Sequence, residues 1–297
     1  MSADVRLLTG SDIRDLARRL GLRPTKTLGQ NFVTDPGTVR RIVRTAGIEP
    51  GEAVIEVGPG LGSLTLGLLD AGAHVTAVEV DPVLAGSLPA TIAARAPDHV
   101  EGLRVLTHDA LVPITEPLPH RPTKLVSNLP YNVAVPVLLT FLEQCPDLHQ
   151  ALVMVQAEVA DRIVAPPGSR TYGVPSAKVA WYARAERAGS IGRSVFWPVP
   201  NVDSALVRLT RRDPPAAGGS RAATFAVIDA AFAQRRKMLR SALAPWAGTT
   251  ARAEQVLRHA GVDPTLRGER VDVATFARIA GAAQDLGVSA ASVPGPA

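Results

Sequence analysis

The stretch Val54-Ile55-Glu56-Val57-Gly58-Pro59-Gly60-Leu61-Gly62 constrains the fold of this chain more than any other. An apolar β-prone run passes into closely spaced glycines, and residues 63–69 then carry a helical pattern. Glycine supplies the positive φ that a sharp strand-to-helix turn needs. It also removes the Cβ atoms that would hold a ligand away from the backbone. The segment 53–57 is the first of five such runs; the others, rich in Val, Leu and Ile, fall at 74–80, 103–107, 124–128 and 151–156. Near-continuous apolar runs of this kind mark strands buried on both faces by helices. Their alternation with helical segments predicts an α/β fold with a Rossmann-like, doubly wound parallel sheet. Further strands are expected at 190–197 and 204–210, the second alternating and suited to antiparallel pairing.

Ahead of the sheet, Ser11 is positioned to cap a helix through Leu20, and Asp35-Pro36 to start another through Ala46. The composition of 211–220, Arg-Arg-Asp-Pro-Pro-Ala-Ala-Gly-Gly-Ser, is that of a linker. Beyond it, helical patterns run through 221–235, 237–246, 251–260 and 271–285. The expected organisation is a Rossmann-like α/β domain at 1–213, with an N-terminal helical extension, and a smaller all-helical domain at 214–297, with a disordered tail from about 288. No apolar run approaches the roughly 18 residues of a membrane span, and the N-terminus lacks a signal-peptide core. Cys145 is the sole cysteine, which excludes a disulfide framework and a Cys-rich zinc site. A cytoplasmic protein without membrane contact or metal is expected.

The glycine loop alone is equally consistent with a tight turn required for packing. The acids that follow it discriminate. Glu79 ends the second strand, 79 − 58 = 21 residues after Gly58, where a carboxylate can accept hydrogen bonds from both hydroxyls of a ribose. Asp109 follows the third strand and is suited to accept from an adenine amino group. Two strand-end acids without an arginine for a pyrophosphate fit S-adenosylmethionine better than a dinucleotide.

Asn128-Leu129-Pro130-Tyr131 ends the fourth run. The exocyclic amine of adenine is a poor nucleophile because its lone pair is delocalised into the ring. Accepting hydrogen bonds from both of its N–H groups favours a pyramidal nitrogen with a localised lone pair. The Asn128 side-chain carbonyl and the Leu129 backbone carbonyl are the candidate acceptors. Pro130 biases Leu129 toward extended φ/ψ, and Tyr131 can stack on the base. No base is needed within the tetrapeptide, because the alkylated amine is itself strongly acidic.

Taken together these segments resemble the ribosomal RNA adenine N6,N6-dimethyltransferase family, specifically its bacterial members that modify two adjacent adenines in the hairpin near the 3′ end of 16S rRNA. The resemblance extends over nearly the whole chain. Besides the two motifs above it includes Leu28-Gly29-Gln30-Asn31-Phe32, residues 196–204 (Phe-Trp-Pro-Val-Pro-Asn-Val-Asp-Ser) and residues 231–237 (Ala-Phe-Ala-Gln-Arg-Arg-Lys). It implies S-adenosylmethionine contacts at Asn31, Val33, Gly58, Glu79, Asp109 and Asn128, with Gln30 and Gly60 nearby. It implies dimethylation, and 16S rRNA in the immature small subunit as partner; a monomer is expected. Two positions depart from the family pattern: Val33 replaces the usual leucine, and Val174-Pro175 replaces Arg-Leu.

Of 32 basic residues only Lys26, Lys124, Lys178 and Lys237 are lysines, leaving 32 − 4 = 28 arginines. A GC-rich genome explains such a bias, and so does an RNA surface that uses planar guanidinium groups. Arg235, Arg236, Lys237 and Arg240 form the densest cationic run and are the candidate phosphate contacts. Phe196 and Trp197 are candidates either for stacking on splayed bases or for the core, and the resemblance places Phe196 nearer the site. The competing functions are a 23S rRNA adenine methyltransferase of the antibiotic-resistance type and a non-catalytic ribosome assembly factor. Residues 196–204 and the long C-terminal segment argue against the first; the intact glycine loop, acids and tetrapeptide argue against the second.

Overall fold

The computed structural model describes residues 5–22, 31–130, 133–216 and 218–288. Two compact units are formed, Met1–Ala160 with Glu186–Arg211 and Asp161–Ala185 with Arg212–Ala297. The strands are β1 (Phe32–Val33), β2 (Ala53–Val57), β3 (His74–Glu79), β4 (Leu103–Thr107), β5 (Lys124–Asn128), β6 (Gln150–Gln156), β7 (Ala183–Ile191), β8 (Phe196–Trp197) and β9 (Ser204–Arg211). Helices α1 (Gly10–Arg19), α2 (Pro36–Ala46), α3 (Ser63–Asp70), α4 (Pro82–Arg95) and α5 (Ala134–Gln144) belong to the first unit, and α6 (Ala157–Ile163) crosses into the second.

The first unit holds a seven-stranded sheet in the order β4-β3-β2-β5-β6-β9-β7. From β4 to β6 all pairings are parallel, and β9 runs antiparallel to β6. The chain steps outward from β2 to β3 and β4, then returns to the other side of β2 with β5. The space between β2 and β5 is therefore the topological switch point, where ligands of open α/β sheets bind. The β2–β5 register is short, with Val54 opposite Lys124 and Ile55 opposite Leu125. Beyond it the Val57 N–H donates to the Ser127 hydroxyl (2.8 Å). The two strand ends thus part on the side where their carboxyl termini emerge.

One expected strand is not formed. Residues 190–197 divide: the first two complete β7, a short 3-10 turn covers Arg193–Val195, and Phe196–Trp197 becomes β8, paired antiparallel with β1 outside the main sheet. β7 itself begins earlier, at Ala183, in a stretch of alanine, arginine and glutamate. As an edge strand it needs no apolar face, so hydrophobic periodicity does not mark it. At the N-terminus, Thr9 and not Ser11 caps α1, in a reciprocal capping box with Asp12. Asp35 caps α2 as expected, through the Thr38 N–H (2.7 Å).

The second unit is helical, with α7 (Val174–Tyr182), α8 (Arg221–Ala233), α9 (Leu239–Ala242), α10 (Ala244–Ala247), α11 (Thr250–His259) and α12 (Val273–Asp285). The segment 237–246, read as one helix, is two short ones, because Pro245 has no N–H to carry the ladder through and sits in the first turn of α10. Residues 161–185 group with this unit, whereas the sequence had assigned them to 1–213. The expected tail beyond 288 lies outside the described residues. Among the described residues no helix is long and apolar enough to cross a membrane.

Candidate active site

Two adjoining clefts open at the carboxyl ends of the parallel strands. Gly58, Glu79, Val80 and Pro130 stand in the walls of both. The first, of ≈ 110 Å³, is walled also by Asn31, Phe32, Val33, Glu56, Gly60, Asn128 and Leu129. The second, of ≈ 170 Å³, is walled by His108, Asp109, Ala110 and Leu111. The structure therefore gathers Asn31, Val33, Gly58, Gly60, Glu79, Asp109, Asn128 and Leu129 around two clefts that share walls, from five separate stretches of sequence. Gln30 and Tyr131 lie outside the described residues.

The glycine loop takes the shape its composition requires. Gly58, Gly60 and Gly62 have φ of 70°, 57° and 93°, a region costly for residues bearing a Cβ. A Cβ on Gly60 would also lie 2.9 Å from the Phe32 ring. Gly62 caps α3 without a side-chain acceptor, so the first N–H groups of that helix remain for a ligand or water. Ser63, at the start of α3, donates its hydroxyl to the Val33 carbonyl (2.7 Å) and so ties β1 to the loop.

Glu79 is 6 % exposed and accepts from the Gly60 N–H (3.1 Å) and the Asp81 N–H (3.1 Å) through different carboxyl oxygens. Each oxygen keeps a lone pair for a further donor, as the paired hydroxyls of a ribose would supply. Burial pushes the Glu79 carboxyl above the usual carboxylate range, against those backbone donors. Asp109 uses Oδ1 to accept from the Leu111 N–H (2.9 Å), and Oδ2 has no partner among the described residues. These acceptors and the bare backbone of the glycine loop fit a nucleoside with a cationic amino-acid tail.

Asn128 and Leu129 stand where β5 leaves β2. The Asn128 Nδ2 donates to the Asn31 carbonyl (3.0 Å), which fixes the amide and identifies Oδ1 as its acceptor end. The Leu129 N–H donates to the Met154 carbonyl (3.0 Å), and no described residue donates to the Leu129 carbonyl. Leu129 is buried and stands in the cleft wall.

One placement departs from the sequence reading. Phe196 is 2 % exposed and belongs to the core, so it offers no face to a base; Trp197, on the opposite side of β8, is half-buried. Arg235, Arg236, Lys237 and Arg240 lie in the second unit. Arg235 pairs with Glu269 (3.3 Å) and donates to the Arg170 carbonyl, and Arg240 pairs with Glu254 (3.8 Å). Arg236 and Lys237 are exposed, with no ion-pair partner among the described residues. Sequence reasoning missed Glu56, which is 1 % exposed in the cleft wall and accepts from the Thr65 hydroxyl (2.7 Å). Burial lifts its carboxyl to about 8; the Thr65 bond opposes the rise and the Glu79 charge adds to it. An acid inside an otherwise apolar, doubly covered strand was the available signal.

A parallel sheet with a glycine loop after its first strand and acids after the next two defines the class of Rossmann-like, S-adenosylmethionine-dependent methyltransferases. Comparison with known proteins narrows this. Residues 22–285 match the family model described as ribosomal RNA adenine dimethylase. The chain is 64 % identical over 279 residues to the ribosomal RNA small subunit methyltransferase A of Thermobifida fusca, covering 94 % of this chain and 97 % of that protein. It is 62 % identical over 275 residues to the protein of the same name from Streptomyces avermitilis, covering 92 % and 93 %. Among solved structures, a dimethyladenosine transferase from Plasmodium falciparum superposes with a TM-score of 0.71 at 20 % identity, over 88 % of this chain and 100 % of that one. The 23S rRNA methyltransferase ErmE gives a TM-score of 0.61 at 29 % identity, over 85 % and 99 %. The chain belongs to the ribosomal RNA adenine dimethylase family.

Proposed function

We propose that this chain methylates N6 of two adjacent adenines in the 3′-terminal hairpin of 16S rRNA, twice each, during small-subunit maturation. The observation that carries the proposal is the pair of carbonyl acceptors at the end of β5. Asn128 is held by Asn31, so its Oδ1 is the acceptor left at the cleft, and no described residue donates to the Leu129 carbonyl. The name shared by relatives more than 60 % identical supports the small subunit as the source of the RNA.

When bound, S-adenosylmethionine supplies an electrophilic methyl carbon. Glu79 would hold its ribose, Asp109 its adenine amino group, and the glycine loop with Gln30, Asn31 and Val33 its amino-acid end. Asn128 and Leu129 accept the two N–H groups of the target amine and localise its lone pair. Tyr131 stacks on the base, a contact worth ~1–3 kcal/mol. Alignment of amine and methyl group supplies the remaining acceleration. The target adenine must leave its stack to reach the cleft, which a hairpin loop permits at low cost. For the second transfer one N–H remains, and one of the two acceptors falls idle. Arg235, Arg236, Lys237 and Arg240 would bind phosphates; of these, Arg236 and Lys237 have no intramolecular ion pair among the described residues to break. The protein acts in the cytoplasm as a monomer.

The test is methyl transfer from labelled cofactor to small and large subunits isolated from a strain lacking the modification. Label is expected in 16S rRNA of the immature small subunit. Label confined to 23S rRNA would replace this function with that of the antibiotic-resistance type.

A further inference from the structure

The sequence places two aromatic residues side by side at 196 and 197, and β-strand alternation sends them to opposite faces. Phe196 enters the core. Trp197 stacks on Phe32 across the β1–β8 pair, with ring centroids 6.3 Å apart and planes 23° apart. Phe32 in turn stands against Gly60 in the cleft wall, one residue from the Asn31 carbonyl that holds Asn128. The pair is thus an aromatic shelf reaching from the cleft outward, with its inner member buried and its outer member half-buried.

The surroundings of Trp197 differ from those of the other tryptophans. Trp181 and Trp246 are 7 % and 4 % exposed. Following Trp197, Val199 is 61 % exposed and Val202 44 % exposed, an apolar surface with no intramolecular cover. The loop that bears them is braced by Arg193, whose backbone N–H donates to Asp203 (3.3 Å) and whose guanidinium donates to the Asn201 carbonyl (3.4 Å). No described residue accepts from the Trp197 indole N–H. A rigid indole with one face supported and its N–H unengaged is suited to an unstacked base.

We propose that Trp197 is a specificity-determining residue for the methylation, receiving a base that flanks the target adenine while the target enters the cleft at Asn128. The proposal rests on the function assigned to that cleft. It explains why an indole stays half-exposed beside it, and it gives the reaction a contact that reads the unpaired state of the loop and not the target base alone.

The experiment compares wild type with Trp197→Ala, Trp197→Phe and Trp197→Leu on immature small subunits. It records KM for the subunit, kcat, Kd for S-adenosylmethionine and Tm. Trp197→Ala is expected to raise the subunit KM about tenfold, the loss of one base stack. Its cofactor Kd should stay within about twofold. Trp197→Phe should recover most of the loss and Trp197→Leu little of it. An unchanged subunit KM overturns the proposal. So does equal rescue by Leu and Phe, or a loss that appears in cofactor Kd and Tm instead, since each indicates packing against Phe32. Should Trp197→Ala fail to fold, the contrast between Phe and Leu decides. Absence of 16S labelling by wild type would instead refute the parent function, and the outcomes are separable.

Discussion

At the scale of single residues, Asn128 and Glu56 make opposite demands. Asn128 was legible in the sequence because an Asn-Leu-Pro-Tyr turn after an apolar run has a chemical rationale of its own. Its anchoring by the Asn31 carbonyl was not, since the two residues are 97 apart in the chain. Asn128→Ala should leave cofactor affinity within a few-fold while single-turnover methylation falls about 100-fold or more, equivalent to ~3 kcal/mol of barrier. An unaltered rate would remove Asn128 from the chemistry. Glu56 carries a folded-state pKa of about 8, well above the ~4.3 of an unfolded glutamate. Its contribution to stability is therefore fully present below the unfolded value and is lost as pH rises through about 8. Glu56→Gln remains neutral throughout. The Tm difference between variant and wild type should move in the variant's favour by several degrees between about pH 5 and about pH 8.5, where ~1 kcal/mol corresponds to ~2–4 °C. A difference independent of pH would show that Glu56 is ionised in the fold.

At the scale of elements, the parallel strands were readable because burial on both faces writes a continuous apolar run. The edge strand β7 and the short β8 were not, because one needs no apolar face and the other is too brief to have a period. The contact between α2 and α3 was equally hidden. Gly67 lies mid-way along α3, where alanine would ordinarily gain about 1 kcal/mol of helix propensity. A Cβ there would fall 2.5 Å from Val39 Cγ1 and 3.2 Å from Val43 Cγ2 on α2. Val39 is fully buried and β-branched, and cannot turn aside cheaply. Gly67→Ala is predicted to lower unfolding free energy by ~1–3 kcal/mol in denaturant titration. Adding Val39→Ala should then cost less than Val39→Ala costs in the wild-type background. Simple additivity of the two changes would contradict close packing of these helices at Gly67.

At the scale of the whole molecule, the sequence marked one passage between the two units and missed the other two. The linker at 211–220 is rich in proline and glycine, and α8 begins just after it. The passages near 160 and 186 lie inside α6 and β7, continuous elements with no change in composition to betray them. The cleft, by contrast, is built within the first unit, from a switch point that strand order alone dictates. The central claim is that this cleft dimethylates two neighbouring adenines of 16S rRNA. The most direct measurement is the mass and sequence of the 3′-terminal 16S fragment after small subunits from a strain lacking the modification are treated with the protein and S-adenosylmethionine. Two adjacent adenines, each carrying two methyl groups on N6, is the predicted result; a single methyl per adenine, a lone modified adenine, or an unmodified fragment would contradict it.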